Sequence, residues 1–216
     1  MDDFKRNQVE EAIAAAFGRR SSRKSWTTLR TRLKRLLDTD RSLGRQPRSS
    51  KPELAFYAFY STEAPGSGVE IWFSHYEAFA LCMAWCLLEH GWPQASAVSM
   101  LRKARPNLEK KHAEILNWDP KNIFDDKKVR DARRPGSLNV DTTHPVYFVI
   151  ASRTGRPVEN STTANEVKIL DEIALMRFMK SEAGLFLTQL ELVKTAHDLK
   201  KALKDTNPVK RGRGST

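Results

Sequence analysis

Apolar positions recur every three or four residues in two stretches near the N-terminus, and each predicts an amphipathic helix. Phe4, Val9, Ile13, Ala16 and Phe17 trace the first, from about Phe4 to Phe17, with Gly18 as its stop. Leu29, Leu33, Leu36 and Leu37 trace the second, from about Trp26 to Leu37, with Ser25 as a candidate cap. The polar loop of residues 38–53 follows. Leu54 to Tyr60 and Val69 to Phe73 are rich in aromatic and β-branched residues and flank Pro65-Gly66, which predicts a β-hairpin. A third helix is expected over about Ser74 to His90, with Ser74 and Glu77 at capping-box spacing. It is apolar nearly all round, so it belongs at the buried centre. Gly91 ends it, and a fourth helix runs from about Pro93 to Ala104, where Pro106 interrupts the pattern.

Beyond residue 104 the pattern loosens. Leu108 to Trp118 suits a short helix, Asp119 to Asn139 is polar and irregular, and Val146 to Ala151 reads as a strand. After a Gly/Pro/Asn/Ser/Thr loop the pattern is helical from Asn165 to about Lys204, with Gly184 as a weak point. Leu185, Leu192, Ala196, Leu199 and Leu203 form a stripe there that suits either a partner helix or this chain's own core. The expected organisation is therefore a nucleic-acid-binding unit over 1–104, a mixed connecting module over 105–164, a helical and dimerising region over 165–206, and a flexible basic tail over 207–216.

Charge changes this picture more than composition does. The chain has 216 residues and a formal net charge of +11, but the charge is unevenly placed. Residues 19–51 hold 12 Lys and Arg against 2 Asp and Glu, whereas residues 52–101 hold no Lys or Arg and 5 acidic groups. Such a contrast points to a surface for a polyanion. With Leu33 inward, Thr28, Thr31, Arg32, Lys34 and Arg35 fall on the opposite side of the second helix and Arg30 on its flank. A membrane partner is not expected, since only Trp26 accompanies the basic run and the longest apolar stretch, Ala78 to Leu88, is eleven residues. The start Met1-Asp2-Asp3-Phe4-Lys5-Arg6 has no apolar signal core behind it, so a cytoplasmic protein is expected.

The segment from Gly68-Val69-Glu70-Ile71-Trp72-Phe73-Ser74-His75-Tyr76-Glu77, through Leu87-Leu88-Glu89-His90-Gly91-Trp92-Pro93-Gln94, to Val98-Ser99-Met100-Leu101 has a recognisable order. A wing strand, a polar cap, a long helix and a Leu-x-x-x-Gly-aromatic turn lead into a short helix. In this order the chain resembles the winged helix-turn-helix DNA-binding domain of the MerR family, over about residues 4–104 by elements and 68–101 by residues. The resemblance implies a mainly α fold with a small β-hairpin, DNA contact through the second helix, and dimerisation through the C-terminal helical region. Two departures stand out: the turn between the first helices is long, and the hairpin carries Glu63 and Glu70 with no basic residue to meet phosphates.

Other chemistry is sparse. Cys82, Cys86 and His90 share a helical face, but Leu81, Met83, Trp85, Leu87 and Leu88 around them predict burial, so core thiols and no metal are expected. Asp125-Asp126 stand beside lysines in the manner of a solvated loop, and His112, His144 and His197 lie far apart. No Ser, Cys or phosphate-loop motif accompanies them, so neither catalysis nor a cofactor is expected. The dense aromatics between Phe56 and Trp92 suit core packing better than base stacking.

Together these features predict a dimeric regulator of transcription that binds double-stranded DNA. Thr28, Thr31, Arg32 and Arg35 would face base edges, and Arg19, Arg20, Arg23, Lys24, Arg30 and Lys34 would hold phosphates. The alternative is an adaptor or nucleoprotein component whose acidic, aromatic 52–101 block binds a protein partner while the basic segment contacts nucleic acid without reading it.

Overall fold

The apolar run at Ala78–Leu88 becomes the centre of the fold, as its lack of a polar face demands. In the computed structural model it lies in a helix, His75–Glu89, whose residues from Tyr76 to Leu87 are all buried. The structure describes residues 3–18, 23–64, 66, 69–123, 127, 130–131, 134–136, 145–152, 165–181 and 186–207. Among these the chain is mainly helical with two small antiparallel sheets. In chain order the elements are β1 (Phe4–Lys5), α1 (Arg6–Ala16), α2 (Arg23–Ser42), α3 (Pro52–Ala55), β2 (Trp72–Phe73), α4 (His75–Glu89), α5 (Gln94–Leu116) and α6 (Pro120–Ile123). Then come β3 (Val146–Ser152), β4 (Glu166–Asp171), α7 (Glu172–Ser181), β5 (Phe186–Glu191) and α8 (Val193–Asp205).

The capping box forms as the spacing requires. Ser74 Oγ accepts the Glu77 amide at 3.2 Å, and Glu77 Oε2 accepts the Ser74 amide at 2.7 Å. Gly91, at φ 84°, closes α4 in the left-handed conformation and turns the chain into α5. α2 and α5 pack on α4, and α1 packs on both α2 and α8. Leu33 and Leu36 of α2 are fully buried, each contributing about 1.5–3 kcal/mol over an exposed position.

Several expectations need correction. α2 starts at Arg23, ahead of Ser25, and continues to Ser42 through residues expected to be loop. Its last turns stay helical because Asp40 is drawn into the core by Arg102, at 2.6 Å, while Gln94 Nε2 donates to the Arg35 carbonyl at 3.1 Å. Pro106 does not end the fourth helix, which runs on to Leu116. Pro106 faces solvent, and Ala97, Leu101 and Leu108, buried on either side of it, outweigh the roughly 3 kcal/mol that an internal proline costs. Position 104, the expected end of the first unit, thus lies inside α5, and Phe4, Phe148 and Leu203 share one core.

Among the described residues the expected hairpin does not form either. Trp72–Phe73 pairs with Phe4–Lys5, not with residues 54–60. That segment is the short α3 followed by buried irregular backbone, because side chains satisfy it in place of a partner strand. Asp40 accepts the amides of Ala58 at 3.1 Å and Phe59 at 2.9 Å, while Arg105 donates to the carbonyls of Tyr57 and Tyr60, both at 2.7 Å. Asp40 and Arg102 are themselves 0% and 3% exposed along their side chains.

Residues 165–204 are not one helical stretch. β3 is the central strand of an antiparallel sheet, in the order β4-β3-β5, with Val149 opposite both Lys168 and Gln189. Glu, Lys and Leu in the flanking strands carry helix propensity, and pairing with an apolar central strand overrides it. One face of the sheet, with Phe148, Ile150 and Leu190, joins the main core. The other, with Val149 and Ala151, is covered by Leu175 and Phe178 of α7. Of the C-terminal stripe, Leu192, Ala196, Leu199 and Leu203 are buried within this chain. Leu185 and Gly184 lie outside the described residues.

Candidate nucleic-acid interface

α2 is positioned by its leucines. With Leu29, Leu33, Leu36 and Leu37 buried, helical geometry turns Lys24, Thr27, Thr28, Thr31, Lys34, Arg35 and Asp38 outward, and all are exposed. From Lys24 to Asp38 this face runs about 21 Å at 1.5 Å per residue. Of the two acidic groups in residues 19–51, Asp40 is spent in the core and Asp38 pairs with Arg41 at 3.4 Å.

The basic groups divide into two sets. Arg30 Nε meets Glu10 at 2.8 Å and lies over the Trp26 ring, and the buried Glu10 also takes Arg6 at 2.7 Å. Arg32 pairs with Glu89 at the end of α4. Arg45 pairs with Glu63 at 2.7 Å, and this hydrogen bond is the main cause that holds the Glu63 carboxyl below its ordinary range. Lys24, Lys34, Arg35, Arg48 and Lys51 form the second set: they are exposed and make no ion pair among the described residues. Thr28 and Thr31 donate their hydroxyls to the carbonyls of Lys24, at 3.0 Å, and Thr27, at 2.9 Å. Arg19, Arg20 and the side chain of Arg23 lie outside the described residues. The structure therefore brings Lys24, Thr28, Thr31, Lys34 and Arg35 together on one open face, with Arg30 and Arg32 tethered at its edges.

Beside this face, Lys24, Ser25, Thr28, Leu29, Arg32, Trp85 and Glu89 line a shallow groove of about 360 Å³. The acidic partners Glu10 and Glu89 carry no signal in the sequence, since they lie 20 and 57 residues from the arginines they pair. Asp40 does carry one, as it continues the stripe of Leu33, Leu36 and Leu37 at the next helical position, a spacing that marks a buried residue.

The other candidates do not converge. Cys82 is buried, and its hydrogen bond to Cys86, aided by burial, raises the thiol well above its ordinary value. His90 turns away, its Nδ1 lying 2.8 Å from the Cys86 carbonyl. Asp125, Asp126 and His144 lie outside the described residues. His112 stacks on Phe79 with ring centres 4.5 Å apart, and His197 Nε2 lies 3.1 Å from the Ile115 carbonyl. Among the described residues no group of three His, Cys, Asp or Glu side chains is placed to hold a metal, and no helix is long and apolar enough to cross a membrane.

Set against protein-family models, curated proteins and solved structures, the chain matches none of them.

Proposed function

We propose that this chain binds duplex DNA through the exposed face of α2 and acts as a regulator of transcription. The observation that carries the reading is the composition of that face: Lys24, Lys34 and Arg35 are exposed without ion pairs among the described residues, while the acidic groups near them, Asp38 and Glu89, are paired with Arg41 and Arg32. We read residues 4–104 as a helix-turn-helix of the MerR kind that lacks a hairpin wing. α1 against α2, with α2 seated on α4, is the packing such a module uses.

Lys24 and Lys34 contact phosphates, and Arg35 is the group for a base edge, being the only arginine among the described side chains of α2 without an ion pair. Selection of bound sequences from random duplex DNA at two salt concentrations tests this. A shared short motif is expected, with Arg35→Ala relaxing it and Lys34→Ala weakening all sequences alike.

A second reading is favoured by the tethering of Arg30 to Glu10 and Arg32 to Glu89, which removes two of the expected contacts. In it the chain is a nucleoprotein component that holds nucleic acid by its backbone, and the acidic block serves its own basic neighbour as much as any protein partner. Uniform recovery of all sequences, with strong salt dependence, selects this reading.

A further inference from the structure

α7 buries one face and, among the described residues, leaves the other without a partner. Leu175 and Phe178 pack on the sheet, while Ile173, Met176 and Met179 are 50%, 54% and 53% exposed. Single exposed apolar residues are ordinary on a surface. Here three lie in one stripe on a helix of ten residues.

The arrangement around Met176 is symmetrical in a way that specifies the occupant. Ile173 and Met179 stand three residues to either side, and Glu172 and Lys180 stand four residues to either side. At 100° per residue all four fall within about 60° of Met176, on the outward face. The two ends carry opposite charge, and neither Glu172 nor Lys180 makes an ion pair among the described residues. A twofold axis normal to the helix pair reverses one α7 against the other. Met176 then meets Met176 of the second copy, Ile173 comes level with Met179, and Glu172 of each copy comes level with Lys180 of the other. A parallel pairing would instead set Glu172 against Glu172 and Lys180 against Lys180.

We propose that the outward face of α7 is a self-association surface, on which a second copy of this chain seats its own α7 antiparallel across a twofold axis at Met176. An interface of this kind is isologous and closes at the dimer. Methionines suit it because their unbranched side chains repack on contact. The patch is smaller than a permanent dimer uses, so the association is weak and depends on concentration. This inference stands apart from the DNA reading and does not rest on it.

Two measurements on the full chain test it. The first is sedimentation from low micromolar to several hundred micromolar protein. The wild-type chain is expected to pass from monomer to dimer, and Met176→Glu, which sets two carboxylates on the axis, is expected to weaken this by about tenfold or more. The second is oxidative cross-linking, for which the wild type is a blank because Cys82 and Cys86 are buried. Met176→Cys is expected to yield a covalent dimer, whereas Arg177→Cys, one residue round the helix and also exposed, is not. A wild-type chain that stays monomeric at every concentration overturns the proposal. So does a dimer that Met176→Glu leaves intact, or cross-linking no faster at Met176→Cys than at Arg177→Cys.

Discussion

The outer face of α2 and the polar cluster beneath its C-terminal end are built from the same residue types, and they do opposite things. On the outer face Lys34 and Arg35 extend into solvent. In the cluster, Arg102 and Arg105 lie in the core, and their guanidinium groups are held by Asp40 and by the carbonyls of Gly44, Tyr57 and Tyr60 at 2.6–2.7 Å. Solvation separates the two. An exposed cation costs little to maintain and is available to a partner, whereas a buried one persists only when its donors are matched. A basic residue count cannot distinguish them. What distinguishes them is whether the residue continues an apolar stripe, as Asp40 does after Leu37 and as Arg102 and Arg105 do on the Val98–Leu101–Leu108 side of α5.

The largest effect is expected where the cluster is broken. Asp40→Ala removes the carboxylate that pairs Arg102 and accepts the amides of Ala58 and Phe59, leaving the buried Arg102 charge without its counter-ion, its Nε without an acceptor, and two buried amides unmatched. Denaturant unfolding should show a loss of about 3–5 kcal/mol. Asp38→Ala, two residues away on the exposed side, should change stability by less than about 0.5 kcal/mol. Equal losses at the two positions would erase the distinction between cluster and surface.

What was legible in the sequence follows the same division. The buried leucines of α2, the capping box at Ser74 and the central strand at Val146 could be read because their signals are local: a spacing, a pair of residues three apart, a run of β-branched and aromatic side chains. The segment from Leu54 to Tyr60 could not, since its letters favour a strand and its conformation is decided by Asp40 and Arg105, 18 to 48 residues distant. β4 and β5 depart from the expected helix for a related reason, as their residues tolerate a helix and only the pairing with β3 settles them. Periodicity turns Thr28, Thr31, Lys34 and Arg35 outward, as the structure has them, and sets Arg32 among them. The tethering of Arg30 to Glu10 and of Arg32 to Glu89 has no such signal, because contacts 20 and 57 residues apart leave no periodic trace.

A second interior group sharpens the contrast through pH. His112 packs between Phe79 and Tyr76, and burial, with lesser contributions from His75, Lys200 and His197, lowers its pKa from 6.5 to about 3. The folded chain therefore resists a proton that the unfolded chain accepts below pH 6.5. Stability is full above that value and falls as pH drops toward 3, by on the order of 5 kcal/mol over the whole window. His197 is shifted the same way, chiefly by burial, and adds to the slope. Unfolding measured at several pH values should show the decline, and His112→Phe should flatten it. An unchanged slope would mean that His112 is not the buried, neutral group its packing describes.

The smallest effect on folding and the most direct test of the outer face come from Glu89 and Lys34. Lys34→Ala removes an exposed cation and should move stability by no more than about 0.5 kcal/mol. If α2 meets phosphates, the same change should lower the steepness of log affinity against log salt by about one. Glu89→Gln works in the other direction. It removes the charge that pairs Arg32 at the rim of the groove while keeping the size of the side chain, so Arg32 becomes available to a phosphate. Affinity for DNA should rise and the salt dependence should steepen by about one. Binding titrations at several salt concentrations measure both slopes on one plot. Opposite changes for the two variants place the polyanion on this face, because only a ligand that Glu89 repels and Lys34 attracts responds to them with opposite sign.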